Sequence, residues 1–375
     1  MKKVVFVGHR NLYFGAESVL FRVLTYLDQQ HLAEPVVVLP KSVDTDFSKQ
    51  LKLAHLYAPL LYSYKLIGGG LVRCLLCLVY NTPAVISLYF TLRKQQITAV
   101  YTNTSVNIVG PLLALVLGKP HIWHFHEQPT AGSFRWIPTG LFPLYRFLIS
   151  RKHTVIVFIS QIQKELWEKE FGIVIPNYKI IYTPPAWMPE PVEVIKSSAT
   201  VTFGFLGSWT KSKNIHSLIN CFSDLTQQYP ERSFRLILMG GGEEELNIKK
   251  AIESKKLNNK VTLIPHSTKI LPFFQSIDVF VLPSFFESWG LVALEAVSQR
   301  KAVILTANTG LTEVLKQNED CIFVNPLNEK ELYLAMEQLL LHPQFREKLA
   351  QNSFNTLKKL ELFDQFENSI RSLFR

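Results

Sequence analysis

The chain has 375 residues, 47% hydrophobic and 19% charged, which provides apolar material for about two packed domains and excludes a fibrous, collagen-like or disordered protein. Forty Lys and Arg against 30 Asp and Glu leave +10, pointing to an anionic partner such as phosphate, nucleic acid or a membrane surface. The excess is uneven: residues 1–190 hold 19 basic and 10 acidic side chains and residues 191–375 hold 21 and 20, so +9 of the +10 lies in the first half.

Met1-Lys2-Lys3 leads into Val4–Val7, which is too short, before Gly8-His9-Arg10, for a signal peptide core and reads as a buried strand. Pro35–Leu39, Ala99–Thr102, His121–His124 and Val155–Ile159 are further strands, and Ser18–Leu27 sets Val19, Leu20, Val23, Leu24 and Leu27 on one helical face. Asp44-Thr45-Asp46 is read as a solvated turn rather than a metal-diphosphate pair. Cys74–Leu92 contains no charge, but Asn81-Thr82-Pro83 at its middle favours two shorter helices over one membrane span. Within it, Cys74 and Cys77 form a lone C-x-x-C read as core packing, in keeping with a reducing compartment.

Pro184, Pro185, Pro189 and Pro191 mark a linker over Thr183–Ser198. Thr202–Phe205, Arg235–Met239, Val261–Ile264, Val279–Leu282, Ala302–Leu305 and Cys321–Val324 follow as strands, with helices over Lys213–Tyr229, Glu243–Lys256 and Leu291–Gln299 and a helical tail over Glu329–Arg375. Strands alternating with helices specify parallel βα units, so the fold class is α/β with two doubly wound domains.

Ligands of such sheets bind beyond the strand ends. After Val279–Leu282, the segment Pro283–Ala296 places Glu287 in a loop, Gly290 where a helix begins, and Glu295 within that helix. Amides at a helix start suit phosphate, and a carboxylate suits sugar hydroxyls, so the pair fits a nucleotide sugar. Taken singly, each glutamate also fits a solvated charge; together, Ala293, Leu294, Ala296 and Val297 bury the helix, and a carboxylate there needs a partner. After Thr202–Phe205 come Gly207, Ser208 and, just before a helix, Lys213, an ammonium able to meet phosphate. Gly240-Gly241-Gly242 lets backbone pass close to a ligand. In the first half, Gly15 at a helix start suits phosphate or acceptor, and His126 ends a strand as a hydrogen-bonding group, with His121 and His124 structural. No G-x-G-x-x-G, P-loop or G-x-S-x-G pattern occurs.

Pro283–Ala296 resembles the P-S-x-x-E-x-x-G-L-x-x-x-E-A signature of glycosyltransferase family 4, within the glycosyl transferases group 1, and the similarity continues through Gly207–Lys213, Gly240–Gly242, Val303–Glu313 and Cys321–Pro326. In the first half it rests on Phe14–Ser18, Tyr101-Thr102-Asn103, His124–Glu127 and Ser160. The resemblance implies a GT-B architecture, with two Rossmann-like domains facing each other across a cleft. These are an acceptor-side domain over 1–190, a nucleotide-sugar domain over 191–355 and a last helix over 356–375 packing back on the first. It implies that Glu295 holds the donor ribose, that Glu287 contacts the transferred sugar, and that Gly290 and Leu291 offer amides to the diphosphate or sugar. Gly207, Ser208 and Gly241 would line the donor. Lys213 would neutralise the leaving diphosphate, His126 would lie near the reacting sugar, and Gly15 would lie near the phosphates.

Three positions depart from the family pattern: Ser208 replaces the usual arginine, Phe14-Gly15 replaces paired glycines, and Tyr182-Thr183-Pro184 replaces an asparagine-glycine pair. The resemblance implies a retaining, hexosyltransferase-type enzyme, with neither metal nor cofactor, moving sugar to a saccharide or lipid-linked acceptor in polysaccharide or glycolipid synthesis. Alternatives are a sugar-nucleotide epimerase of the same architecture and a catalytically silent binding subunit. The basic first half then points to a cytoplasmic enzyme docked peripherally on the anionic inner face of a membrane, and away from nucleic acid.

Overall fold

The computed structural model describes residues 2–10, 15–40, 46–51, 55–58, 70–131, 134–135, 137–187 and 200–375. Contacts divide the chain into two units, one of Met1–Thr183 with Phe363–Arg375 and one of Pro184–Leu362.

The first unit runs β1 (Lys2–Val7), α1 (Gly15–Gln29), β2 (Ala33–Pro40), α2 (Asp46–Gln50), β3 (His55–Ala58), α3 (Gly70–Leu92), β4 (Ile97–Asn103), α4 (Val109–Val116), β5 (His121–His124), a two-residue hairpin of β6 (Thr130–Ala131) and β7 (Phe134–Arg135), α5 (Phe142–Ile149), β8 (Thr154–Phe158), α6 (Gln161–Phe171) and β9 (Tyr178–Ile180). Its parallel sheet has the order β3-β2-β1-β4-β5-β8-β9. Alternation along β1 feeds both faces: Val4 and Phe6 join the core under α1, while Val5 and Val7 join the one under α3 and α4. A third cluster, built on Trp123, Phe125 and Trp167, packs beneath α5 and α6.

The second unit runs β10 (Val201–Ser208), α7 (Ile215–Gln228), β11 (Phe234–Gly241), α8 (Glu245–Ser254), β12 (Val261–Pro265), α9 (Leu271–Gln275), β13 (Val279–Leu282), α10 (Leu291–Ser298), β14 (Ala302–Thr306), β15 (Ile322–Val324), α11 (Glu329–Leu341) and α12 (Pro343–Lys359). Its parallel sheet has the order β12-β11-β10-β13-β14-β15. Every residue of β13 and β14 is buried, as continuous apolar strands covered on both faces require. The final helix, α13 (Leu362–Phe374), belongs to the first unit from Phe363 onward. Phe366, Ile370 and Phe374, spaced four apart, enter the core of β1 and α1. Lys2 Nζ donates to the Phe374 carbonyl at 3.0 Å and Arg371 Nε to the Tyr26 hydroxyl at 3.1 Å.

The units separate at Thr183/Pro184, before the expected 190/191, and the returning tail starts at Phe363 rather than 356 because α12 continues to Lys359. The Asp44-Thr45 part of the acidic turn and residues 188–199 of the linker lie outside the described residues, while Asp46 opens α2.

The expected break at Asn81-Thr82-Pro83 does not occur, since α3 is one helix through Pro83. Proline removes the donor for the Val79 carbonyl, but side chains support the flanking turn. Asn81 Nδ2 donates to the Cys77 carbonyl at 2.8 Å and Thr82 Oγ1 to the Leu78 carbonyl at 2.7 Å. Pro83 itself lies on the solvent side of the helix. Among the described residues, Val72–Leu92 is the one stretch long and apolar enough to cross a membrane by length and composition, with 33% of it buried in the protein. Cys77 is buried, and burial pushes its thiol up to about 11, as befits a packing residue.

Candidate active site

In the second unit the strand order reverses between β10 and β13, the place where open sheets bind ligands. The loops after these strands are tied together, the Phe285 amide donating to the Ser212 carbonyl at 2.9 Å. Lys213 ends a short 3-10 turn and brings Nζ to 2.5 Å from Glu287 Oε1. Ser284 Oγ donates to that same carboxylate oxygen at 2.7 Å. Asn214 then takes the left-handed conformation, φ 53, and its Nδ2 donates to the carbonyls of Pro283 and Pro326 at 3.2 and 3.1 Å. That residue breaks the predicted helix, which starts at Ile215 instead of Lys213, and it anchors the lysine turn to the glutamate loop.

Beyond Glu287, whose amide donates to the Asn308 carbonyl at 2.9 Å, the loop turns into α10 at Gly290. Gly290 has φ +90, a conformation that favours glycine, and a Cβ there would also press on Leu311 Cδ1 at 3.1 Å and Thr309 Oγ1 at 3.3 Å. The amides of Ala293 and Leu294 donate back to the Gly290 carbonyl, which leaves those of Leu291 and Val292 at the head of the helix as anion donors. Glu295 follows on the buried side of α10, 6% exposed.

Gly207 and Ser208 pair with Gly240 and Gly241 at the carboxyl ends of β10 and β11. A Cβ on Gly240, φ +152, would stand 1.9 Å from the Gly207 carbonyl oxygen, whereas one on Gly241 would meet nothing within 4 Å. Gly240 therefore closes the strand ends and Gly241 leaves room above them. Ser208 is exposed.

In the first unit the order reverses between β1 and β4. Asn103, at the end of β4, donates from Nδ2 to the Ala16 carbonyl at 3.2 Å, next to Gly15 at the start of α1. With its nitrogen so engaged, Asn103 Oδ1 accepts from His126 Nε2 at 2.8 Å. The proton is thereby assigned to Nε2, and Nδ1 is left as an acceptor. Burial, then His124 and His9, hold His126 well below the usual histidine range, so the ring is neutral. Its ring lies 4.2 Å from that of His124, which takes a 2.5 Å hydrogen bond from the Tyr101 hydroxyl. Burial pushes His124 down to about 3; burial and then Arg151 do the same to His121, whose Nε2 pairs with Thr102 Oγ1 at 2.8 Å.

Two features of this corner were not visible in the sequence. Asn103 fixes the His126 tautomer, and Thr104 holds φ +75 while fully buried. Such a conformation costs a β-branched residue about 1–3 kcal/mol; the Thr104 amide bond to the His124 carbonyl and the Trp123 indole bond to the Thr104 carbonyl, both 2.8 Å, hold it there. In the second unit Ser284 and Asn214 were missed likewise, since their partners are distant in sequence. Among the described residues no three His, Cys, Asp or Glu side chains gather as a metal-ligand set.

Two Rossmann-like units, with glycine loops and a lysine–glutamate pair at the switch point of the second, define the class as a GT-B glycosyltransferase fold. Residues 193–356 match the Glycosyl transferases group 1 family. An uncharacterized glycosyltransferase of Haemophilus influenzae is 22% identical over 66% of this chain and 67% of its own length. The lipopolysaccharide core biosynthesis glycosyltransferase LpsE of Rhizobium meliloti is 28% identical over 40% of this chain and 43% of its own. Several curated relatives are matched over less than half of their length. The crystal structure of Anabaena HepE in complex with UDP and glucose superposes with a TM-score of 0.78 at 18% identity, covering 100% of this chain and 99% of that one.

Proposed function

We propose that this protein is a retaining glycosyltransferase that moves a hexosyl unit from a nucleotide sugar to a hydroxyl of a saccharide or lipid-linked acceptor, in cell-surface polysaccharide or glycolipid synthesis. The observation that carries the reading is the Lys213–Glu287 pair at the β10/β13 switch point, beside the head of α10. Glu287, itself held by the Ser284 hydroxyl, keeps the ammonium in place before the donor arrives. The diphosphate then takes the ammonium and the amides of Gly290 and Leu291, while Glu287 turns to the transferred sugar and Glu295 to the ribose hydroxyls. Gly207, Ser208 and Gly241 border the nucleotide. From the first unit we assign neutral His126, with Nδ1 as acceptor, to a hydroxyl of the reacting sugar, and Gly15 to the phosphates.

In the reaction the bond from C1 to the diphosphate oxygen breaks with its electrons passing to the diphosphate. The acceptor oxygen bonds to C1 on the same face, and its proton leaves with the diphosphate. Lys213 and the helix amides stabilise the charge that develops on the leaving group, so no metal or cofactor is invoked. The reading places the enzyme on the cytoplasmic side, in peripheral contact with the membrane, and assigns it no nucleic acid.

The exposed Ser208, standing where the family usually has arginine, favours a second reading as a donor-binding subunit without transfer. Thermal stabilisation by UDP-, GDP- and dTDP-sugars followed by nucleotide release decides between them. Release that depends on acceptor supports transfer, binding with no release supports the silent subunit, and an isomerised donor in the absence of acceptor overturns both in favour of an epimerase.

A further inference from the structure

Helix α3 turns a stripe of large apolar side chains to solvent. Val72, Leu75, Val79, Tyr80, Ile86 and Phe90 are each 51–63% exposed, and their spacing gathers them along one side of the helix. The opposite side, with Cys74, Cys77, Ala84 and Leu88, is buried in the cores of the first unit. The stripe is thus the face of a 23-residue helix, about 34 Å long, that the fold leaves uncovered among the described residues.

Its electrostatic setting is one-sided. From Phe47 to His126 the sequence contains no Asp or Glu, while Lys49, Lys52, Lys65, Arg73, Arg93, Lys94 and Lys119 fall within the same stretch. Arg93 and Lys94 are exposed at the end of α3, and the Arg93 guanidinium sits 4.9 Å over the ring of Phe90, so a cation stands directly on the apolar stripe.

We infer that this face docks the protein on a bilayer rich in anionic lipid, with α3 lying in the plane of the interface. The apolar stripe enters the boundary between headgroups and acyl chains, and Arg93 and Lys94 meet lipid phosphates. Spanning does not fit, because a helix that packs Cys77, Asn81 and Ala84 into a protein core cannot be surrounded by lipid. The inference deepens the proposed function by naming the surface that meets a lipid-linked acceptor, and it rests on that reading only for its purpose, since its observations all lie on the first unit.

Co-sedimentation of the full chain with vesicles tests it, using phosphatidylcholine alone and an equal mixture with phosphatidylglycerol, at low and high salt. The wild type is expected to sediment with the mixture and to be released by salt. Leu75→Gln/Val79→Gln/Phe90→Gln should weaken binding roughly a hundredfold, and Arg93→Gln/Lys94→Gln should remove roughly thirtyfold of the preference for anionic vesicles. Both variants alter exposed side chains and should melt like the wild type. Failure to sediment with either vesicle, equal binding to both, or unchanged binding by the triple variant overturns the inference. So does a dimer in sedimentation velocity that the triple variant splits, which would assign the face to a second copy. Nucleotide release measured on the same variants with a soluble acceptor separates the two readings, because loss of vesicle binding with release intact touches docking alone.

Discussion

Under the proposed function, the Lys213–Glu287 pair is the resting arrangement of two groups that the donor would part. The lysine side chain is 24% exposed and the glutamate 13%, so both charges stay within reach of an incoming diphosphate. Lys213→Ala should therefore lower sugar transfer by about 10²–10³-fold, the scale of losing one group that stabilises transition-state charge. Glu295→Ala should chiefly raise the donor KM; steady-state kinetics with the identified donor checks both, and wild-type parameters in the two variants would refute the assignment. The buried histidines make a second residue-scale prediction. His121 and His124 titrate near 3 in the folded chain and near 6.5 when unfolded. The unfolded state binds more protons between those values, so stability is highest above pH 6.5 and falls as the pH drops. Each ring should contribute about 1 kcal/mol of loss between pH 7 and 5.5. Denaturant titrations of wild type and His121→Gln at the two pH values test this, and identical pH dependence in both proteins would contradict it.

At the scale of elements, α13 shows how few residues can anchor a segment. Phe374 stacks on Phe6 and Tyr101 at 5.9 and 6.3 Å between centroids, and Phe366 is 1% exposed. Phe366→Ala should cost about 3 kcal/mol, read by calorimetry as a lowered transition of the first unit with the second unchanged. A shift of both transitions would show the tail to be no private part of the first core. The buried strands were legible because both faces are covered: Val4–Val7 and Val279–Leu282 read as apolar runs and fold as such. The edge strands β3 and β9 escaped, since His55–Ala58 and Tyr178–Ile180 mix polar and apolar residues and pair on one side only. Pro83 misled for a different reason, because the helix around it is held by side-chain bonds from Asn81 and Thr82 to the carbonyls of Cys77 and Leu78, which the sequence pattern does not announce. In the candidate site, Glu287, Gly290 and Glu295 were legible from their spacing after a strand. The bonds from Ser284 to Glu287 and from Asn103 to His126 were not, as no local pattern encodes a partner's side-chain direction.

On the whole-molecule scale, each unit has its own sheet and its own buried core, and the residues proposed to hold the donor, Lys213, Glu287, Gly290 and Glu295, all belong to the second. A chain of Pro184–Leu362 alone falls in the size range of an independent domain. It should fold and gain thermal stability from the nucleoside diphosphate of the identified donor, while catalysing no transfer. An unfolded far-UV spectrum, or no shift with nucleotide, would show that donor binding needs the first unit. The charge division follows the same line, the near-neutral half carrying the groups proposed to bind phosphate and the basic half carrying the face of α3.

The return of Phe363–Arg375 to the first unit also sets an order of events during synthesis. The first unit's strands leave the ribosome early, but Phe6 and Tyr101 cannot gain their stacking partner Phe374 until the whole second unit has been made. At roughly 5–20 residues per second, the nascent first unit waits on the order of ten seconds or more with a gap beside β1. The second unit, closed within one continuous segment, can finish first, so completion of the fold runs against the direction of translation.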